Sequence, residues 1–218
     1  LGRTAGAPTS AAWLDADHDG DLDLFVASGS GDAASPSGTQ LLRNNGNGRF
    51  TDITSASGLV VARLVLAVVP TDYDNRRDID LLLVPATGNA LLFRNFRDGT
   101  FRDVASDVGL TSTETAAMAA IGDVNKDGYP DFFFPRRNGV GVMVSSDSLG
   151  RFTTAPAPAE TADARAAQFI DYDSDGLSDL FLLTARGPRL LRNLGREWSD
   201  VTARAIPPAM STSLGEAT

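Results

Sequence analysis

Asp15-Ala-Asp17-His18-Asp19-Gly20-Asp21-Leu22-Asp23-Leu24 is an aspartate-rich loop set between two apolar runs, and the chain carries four versions of it. The others are Asp72-Tyr-Asp74-Asn-Arg76-Arg77-Asp-Ile-Asp80-Leu81, Asp123-Val-Asn125-Lys-Asp127-Gly128-Tyr129-Pro-Asp131-Phe132 and Asp171-Tyr-Asp173-Ser-Asp175-Gly176-Leu177-Ser-Asp179-Leu180. Their first residues stand 57, 51 and 48 positions apart, so the chain is an internal repeat. A second block keeps the same period. Leu41-Leu42-Arg43-Asn44 through Phe50-Thr51-Asp52-Ile53 matches Leu91-Leu92-Phe93-Arg94-Asn95 through Phe101-Arg102-Asp103-Val104. A weaker copy spans 142–152, and the last runs from Leu190-Leu191-Arg192-Asn193 to Trp198-Ser199-Asp200-Val201.

Each repeat reads as four short strands. In the first, residues 11–14 enter the acidic loop, 22–27 leave it, 40–43 form a third strand and 49–53 a fourth. Asn-Gly and Asp-Gly turns separate the third strand from the fourth, the chemistry of tight hairpins. No amphipathic helix of ten or more residues is apparent, and Pro156 and Pro158 interrupt the alanine-rich stretch 155–167. About 50 residues and four strands make a propeller blade. One such sheet cannot bury both its faces, so blades stack about an axis. The predicted fold is therefore all-β, a β-propeller of four-stranded antiparallel blades. Four blades are present, either a whole four-blade unit or part of a seven- or eight-blade ring. We expect one propeller region over 1–218, with blades near 1–58, 59–109, 110–158 and 159–218. A linear β-solenoid is the alternative, but its coils are shorter and lack these hairpins. Leu1-Gly2 falls at the repeat phase of Gly58-Leu59 and Gly109-Leu110, and Pro207-Pro208 stops short of a fifth loop. An excised or processed piece of a longer protein is expected, with an intact four-repeat unit as the alternative.

The loops have the donor pattern of a hard-cation site. Calcium takes six to eight oxygens in a flexible shell. Loop positions 1, 3, 5 and 9 supply side chains and position 7 a backbone carbonyl. The candidate ligands are Asp15, Asp17, Asp19, Asp21 and Asp23 in the first loop, and Asp123, Asn125, Asp127, Tyr129 and Asp131 in the third. In the fourth they are Asp171, Asp173, Asp175, Leu177 and Asp179. Gly20, Gly128 and Gly176 at position 6 permit the sharp turn. An EF-hand would need a glutamate at position 12, where Val26, Phe134 and Leu182 stand, and helical flanks. Magnesium wants stricter octahedral geometry, and zinc or iron would want His or Cys, of which there are one and none. The ion-free alternative is a set of Asx-type turns, in which crowded carboxylates raise one another's pKa. The loop from Asp72 to Asp80 is degenerate: Arg76 replaces the position-5 acid and Arg77 the glycine. There the Arg76 guanidinium is expected to pair with Asp72, Asp74 or Asp80 and take the place of the ion.

Composition narrows the function classes. The chain is 42% hydrophobic, so it can bury a core, yet its apolar runs, such as 64–70, are far too short to span a membrane. It has no cysteine, which excludes disulfides and a catalytic thiol. A formal charge of −9 argues against a nucleic-acid partner, and three bound divalent cations would bring it to −3. His18 is the single histidine and is expected to be an exposed loop residue. No Gly-x-Ser-x-Gly elbow or phosphate-cradling glycine loop is present. Asp52, Asp103 and Asp200 recur at one blade position and read as turn or capping residues. Trp13, Phe50, Phe101, Phe152 and Trp198 read as packing residues, and Arg43, Arg94 and Arg192 as partners of a neighbouring blade's acids. Arg136, Arg137 and Arg186 are placed on an exposed rim, as solvated charge or a contact for an acidic partner.

The Asp-x-Asp/Asn-x-Asp-Gly-x-x-Asp-Leu loops resemble the calcium loops of FG-GAP/VCBS repeats, as in integrin α-subunit propellers. The block at residues 42–53 is more similar to bacterial VCBS and ASPIC/UnbV-type proteins, related to cartilage acidic protein 1. The resemblance covers nearly the whole chain. It implies a β-propeller with calcium in the first loop of each intact blade, and an extracellular, cell-surface or periplasmic setting. The second loop departs from the pattern, and Gly6-Ala7-Pro8 precedes a loop instead of following one. The expected function is a calcium-stabilised binding or scaffold module, engaging a protein or glycan as in cell adhesion, and not an enzyme. The alternatives are a lectin-like propeller, a subunit of a larger surface assembly, and a non-catalytic domain of a secreted enzyme. Association with a second copy or with further blades is left open.

Overall fold

A computed structural model describes residues 7–29, 38–114 and 116–207, which fall into two compact units, Leu1–Thr115 and Ala116–Thr218. Leu1-Gly2, Gly6 and Pro208 lie outside the described residues. The first unit contains two sheets. One is built from β1 (Ala7–Leu14), β2 (Asp23–Gly29), β3 (Thr39–Asn44) and β4 (Phe50–Asp52), and the other from β5 (Val65–Thr71), β6 (Asp80–Pro85), β7 (Leu91–Asn95) and β8 (Phe101–Asp103). The second unit repeats the plan with β9 (Ala120–Gly122), β10 (Asp131–Phe134), β11 (Val142–Ser146) and β12 (Phe152–Pro156), then β13 (Ala164–Ile170), β14 (Asp179–Thr184), β15 (Gly187–Asn193) and β16 (Trp198–Asp200). Every sheet is antiparallel and runs through its strands in sequence order. The protein is all-β, with four four-stranded blades of the propeller type. Among the described residues the helices are single turns, α1 (Thr54–Ser57), α2 (Thr202–Ala205) and a 3-10 turn at Ala159–Thr161, and none is long and apolar enough to cross a membrane.

The sequence pattern explains the packing. Alternation along β1 and β2 turns Ala12, Leu14, Phe25 and Ala27 to one side. There they meet Val65, Val68, Leu81, Leu83, Phe93 and Phe101 of the next sheet in one core. In the second unit Ala120 and Phe133 pack with Ala164, Leu180, Leu182 and Leu191, flanked by Met143, Phe169 and Trp198. The second strand of a blade reads as a continuous apolar run where both faces are covered. All six residues of β6 and all four of β10 are buried. First strands bulge at matching places, Pro8/Ser10, Val65/Ala67 and Ala164/Ala166. The bulge hides the alternation upstream of Ala11, so β1 begins four residues before the expected start at 11. Gly58 (φ 79°) and Gly109 (φ 82°) close their repeats in the left-handed conformation, which a β-carbon disfavours.

Three of the recurrent aspartates at the fourth strand fold back as expected. The Asp52 carboxylate accepts from the N–H and hydroxyl of Thr54, Asp103 from the N–H of Ala105, and Asp200 from the N–H of Thr202. Burial works to raise the pKa of Asp52 and Asp200, but the threonine bonds win and hold both below the usual range.

Candidate functional site

The four aspartate loops join the first and second strands of their blades and share one backbone trace. The fourth residue is left-handed in each, with φ of 60° at His18, 59° at Asn75, 60° at Lys126 and 61° at Ser174. The sixth is left-handed too, at 91° in Gly20, 85° in Gly128, 80° in Gly176 and 67° in Arg77. Arg77 therefore keeps the shape of the loop without the residue that suits it, at a cost on the order of 1–2 kcal/mol.

The first loop residue holds this turn. Asp123 accepts from the N–H groups of Asp127 (3.1 Å) and Gly128 (2.9 Å), and Asp171 from those of Asp175 (3.1 Å) and Gly176 (2.9 Å). Asp72 does the same with Arg76 (2.9 Å) and Arg77 (2.8 Å), while Asp15 accepts from Gly20 at 3.1 Å and from no other described residue. The fifth residue braces the seventh: Asp19, Asp127 and Asp175 accept from the N–H groups of Asp21, Tyr129 and Leu177, each at 2.9 Å. The Asp21 carboxylate leans toward the β3–β4 turn, where a β-carbon on Gly46 would lie 2.9 Å from it.

The ninth residue latches the loop to the blade. Asp23 accepts from Ala16 N–H (3.0 Å) and Asn44 N–H (2.8 Å), and Asp80 from Tyr73 (3.3 Å) and Asn95 (2.8 Å). Asp131 accepts from Val124 and Ser146, both at 2.8 Å, and Asp179 from Tyr172 (3.0 Å) and Asn193 (2.8 Å). One oxygen thus ties the second loop residue, and the other ties the end of the third strand. All four carboxylates are buried. Burial pushes Asp23 and Asp131 up in pKa despite these bonds, and pushes Asp80 up to about 7, with Asp74 and Asp72 adding repulsion.

The loops differ in what their carboxylates face. In the first, oxygens of Asp15, Asp17 and Asp19 lie within 4.8 Å of one another. Asp15 Oδ1 and Asp17 Oδ1 are buried with no hydrogen-bond partner, and Arg43 forms no ion pair among the described residues. These orphaned oxygens fit a divalent cation. The fourth loop gathers Asp171, Asp173 and Asp179 within the same distance, but Arg192 lies across it, Nε 2.7 Å from Asp173 and Nη2 2.8 Å from Asp175. The Leu177 N–H and then Arg192 hold the Asp175 carboxyl below its usual range.

In the third loop no three acids converge in this way among the described residues; Asn125 stands at the third position and donates to Asp127 at 3.0 Å. The second loop gathers Asp72, Asp74 and Asp80. Here Asp74 is the arginine partner, 3.1 Å from Arg76 Nε and 3.4 Å from Arg94 Nε. Burial raises the Asp74 pKa, and the two guanidiniums act against it.

Several expectations change. Arg94 and Arg192 bind acids of their own blade, not of a neighbour, because the third strand ends beside the loop of its own sheet. His18 is an exposed loop residue as expected, but it also has a partner: its Nε2 lies 3.3 Å from Asp78 Oδ1, where Arg97 also binds, so it bridges the first blade to the second. Asp78 went unread because it occupies a carbonyl position in the pattern. Phe101 and Phe152 are buried as expected and Trp198 is half-buried, but Trp13 is 55% and Phe50 38% exposed, with ring centroids 6.5 Å apart.

Residues 15–83 and 72–134, together more than half the chain, match the family model of the FG-GAP-like repeat. Cartilage acidic protein 1 of Xenopus tropicalis is 28% identical over 145 residues, covering 59% of this chain and 22% of that protein. A lectin of Agrocybe aegerita, solved for its specific recognition of non-reducing terminal N-acetylglucosamine, aligns over 86% of this chain and 49% of its own, with a TM-score of 0.52 and 18% identity. The V. cholerae biofilm matrix protein Bap1 aligns over 88% of this chain and 30% of its own, with a TM-score of 0.54 and 18% identity. These two structures share the fold. The chain spans about a fifth of the curated relative and at most half of either structure.

Proposed function

The chain belongs to the FG-GAP-like repeat family, and from that premise we propose that it is a calcium-stabilised binding or scaffold module for a protein or glycan partner. It works outside the cell, on its surface or in the periplasm, and has no catalytic role. The observation that carries this reading is the pair of buried, unpartnered oxygens Asp15 Oδ1 and Asp17 Oδ1. Each such oxygen costs on the order of 1–3 kcal/mol or more, and one oxygen-seeking cation relieves both. The first loop would hold calcium through Asp15, Asp17, Asp19 and Asp23 with the Asp21 carbonyl. The third would use Asp123, Asn125, Asp127 and Asp131 with the Tyr129 carbonyl. The fourth would use Asp171, Asp173, Asp175 and Asp179 with the Leu177 carbonyl. Arg192 must leave Asp173 and Asp175 for that last site to fill, so the first loop binds more tightly than the fourth. The second loop carries its own cations, Arg76 and Arg94.

Two observations support a binding role. The fold is shared with a lectin and a biofilm matrix protein, and Trp13 and Phe50 present paired rings to solvent, a surface suited to stacking on a sugar or on a partner's apolar patch. The test is thermal unfolding in excess calcium and in EGTA. At calcium about 100 times the dissociation constant, each filled site adds about 2.7 kcal/mol. A rise of several degrees in calcium is expected, reduced in Asp15→Asn/Asp17→Asn; superimposable curves would overturn the reading.

A further inference from the structure

The aspartate loops mark one end of the sheets, and the second unit has a different feature at its other end. Where β10 runs out toward β11 and β13 begins, Arg137, Asn138, Asp163, Arg165 and Ala185 line an open cleft of about 540 Å³. Small-ligand sites occupy roughly 300–1,000 Å³. In a chain of net charge −9, a lining of two guanidiniums and one carboxylate is a local reversal of sign.

The repeat supplies an internal control. In the first unit, strand register puts Gly29 where Arg137 stands, Leu64 at Asp163 and Leu66 at Arg165. The bulge after Val65 matches that after Ala164, and the bond from Ala86 N–H to the Leu64 carbonyl (2.8 Å) matches that from Ala185 N–H to the Asp163 carbonyl (3.4 Å). In the first unit Leu64 sits directly on Gly29, leaving no room there for a β-carbon. An apolar contact closes that junction, while the same positions in the second unit are polar and open.

The cleft is also tied together. Asp163 is left-handed, with φ of 62°. Its N–H donates to the Gly139 carbonyl (3.1 Å), and its carboxylate accepts from Gly139 N–H (3.3 Å). With the Ala185 bond, one residue joins three chain segments. The Asp163 carboxylate forms no ion pair with either arginine, and Arg137 and Arg165 have no hydrogen-bond or ion-pair partner among the described residues. Unpaired guanidiniums in a fixed frame suit a planar or tetrahedral oxyanion, which they bind by paired N–H donors. Among the described residues no aromatic ring lines the cleft to stack on a neutral sugar, but Asn138 and Asp163 offer hydrogen bonds to hydroxyls.

We propose that this cleft binds an acidic saccharide, a sugar ring bearing a carboxylate or sulfate. Arg137 and Arg165 clamp the anion, and Asn138 and Asp163 bond the hydroxyls. The assignment rests on the reading of the chain as a binding module and names a ligand class and a place for it. The test is calorimetric titration of the whole chain in saturating calcium with an oligouronate, a sulfated oligosaccharide, a neutral N-acetylglucosamine oligomer and sodium sulfate alone. Binding of the uronate or the sulfated oligomer is expected, and which of the two binds identifies the anion. Affinity falls about tenfold or more in Arg137→Ala and Arg165→Ala, falls less in the lysine variants, and is unchanged in Arg196→Ala. Equal binding of the neutral oligomer, binding of sulfate alone as tight as that of the sugars, no binding of either acidic oligomer, or indifference to both alanine variants overturns the assignment. Melting curves in calcium and EGTA on the same samples separate the two claims. A persisting calcium rise without saccharide binding removes only the cleft assignment, and a missing rise removes the calcium reading.

Discussion

Replacing Asp131 with alanine asks whether the ninth loop residue is a latch before it is a ligand. Its carboxylate is 0% exposed and accepts the backbone N–H groups of Val124 and Ser146, both at 2.8 Å. Alanine strands both donors, at about 1–3 kcal/mol each. Part of that loss is offset, because burying the carboxylate is itself unfavourable, as its raised pKa records. The net loss is about 2–4 kcal/mol, which for a chain of this size lowers the melting temperature by roughly 5–15 °C. The assay is calorimetry or circular dichroism in EGTA, where no bound cation contributes. Asp131→Asn keeps one acceptor oxygen but sets an amide N–H against a backbone N–H, and falls between alanine and the parent. Asp127→Ala is the control: that side chain is exposed, so its loss matters little in EGTA and is felt in calcium. The reasoning fails if Asp131→Ala melts within about 2 °C of the parent in EGTA, or if Asp127→Ala loses as much there.

Three further outcomes follow from the differences among the loops. Arg192→Gln frees Asp173 and Asp175, so the fourth loop binds terbium at lower concentration, read by luminescence sensitised through Tyr172; unchanged or weaker binding contradicts the clamp. Arg76→Asp/Arg77→Gly restores the position-5 acid and the position-6 glycine, and adds one calcium per chain in equilibrium dialysis, whereas an unchanged count shows that Arg94 alone holds the loop closed. Asp80 has a folded pKa of about 7, above the ordinary 3.8, so its contribution to stability is fully present below pH 3.8 and is lost as pH rises through about 7. In EGTA, Asp80→Asn therefore removes a downward slope of stability between pH 4 and 7, and parallel profiles for the two proteins would contradict that origin.

The blades and their loops were legible because their signals are local. Period, turn dipeptides and alternate aspartates lie within ten or so residues of one another, and Arg76 stands inside the loop it pairs with. What escaped depends on distant partners. Nothing near His18 announces Asp78, sixty positions on. Arg94 and Arg192 could be seen to recur, but which acids they reach is decided by the third strand ending beside its own blade's loop. Phe50 occupies a repeat position where Phe101 and Phe152 are buried, so its exposure is set by the blade it sits on and not by the motif. Arg137 was legible as an exposed rim residue, but Arg165 falls outside both repeated blocks, and only the comparison with Gly29 and Leu66 in the other unit places the two in one cleft.

The most direct measurement of calcium at the loops is a crystal structure of the chain grown in saturating calcium, with anomalous data to identify the ions. The expected result is an ion in the first loop among Asp15, Asp17, Asp19 and Asp23, and an ion in the fourth only where Arg192 has moved off Asp173 and Asp175. The loop from Asp72 to Asp80 carries Arg76 and no ion. An empty first loop, or an ion seated at Asp72, Asp74 and Asp80 with Arg76 turned away, would contradict the assignment of cations and arginines to the four loops.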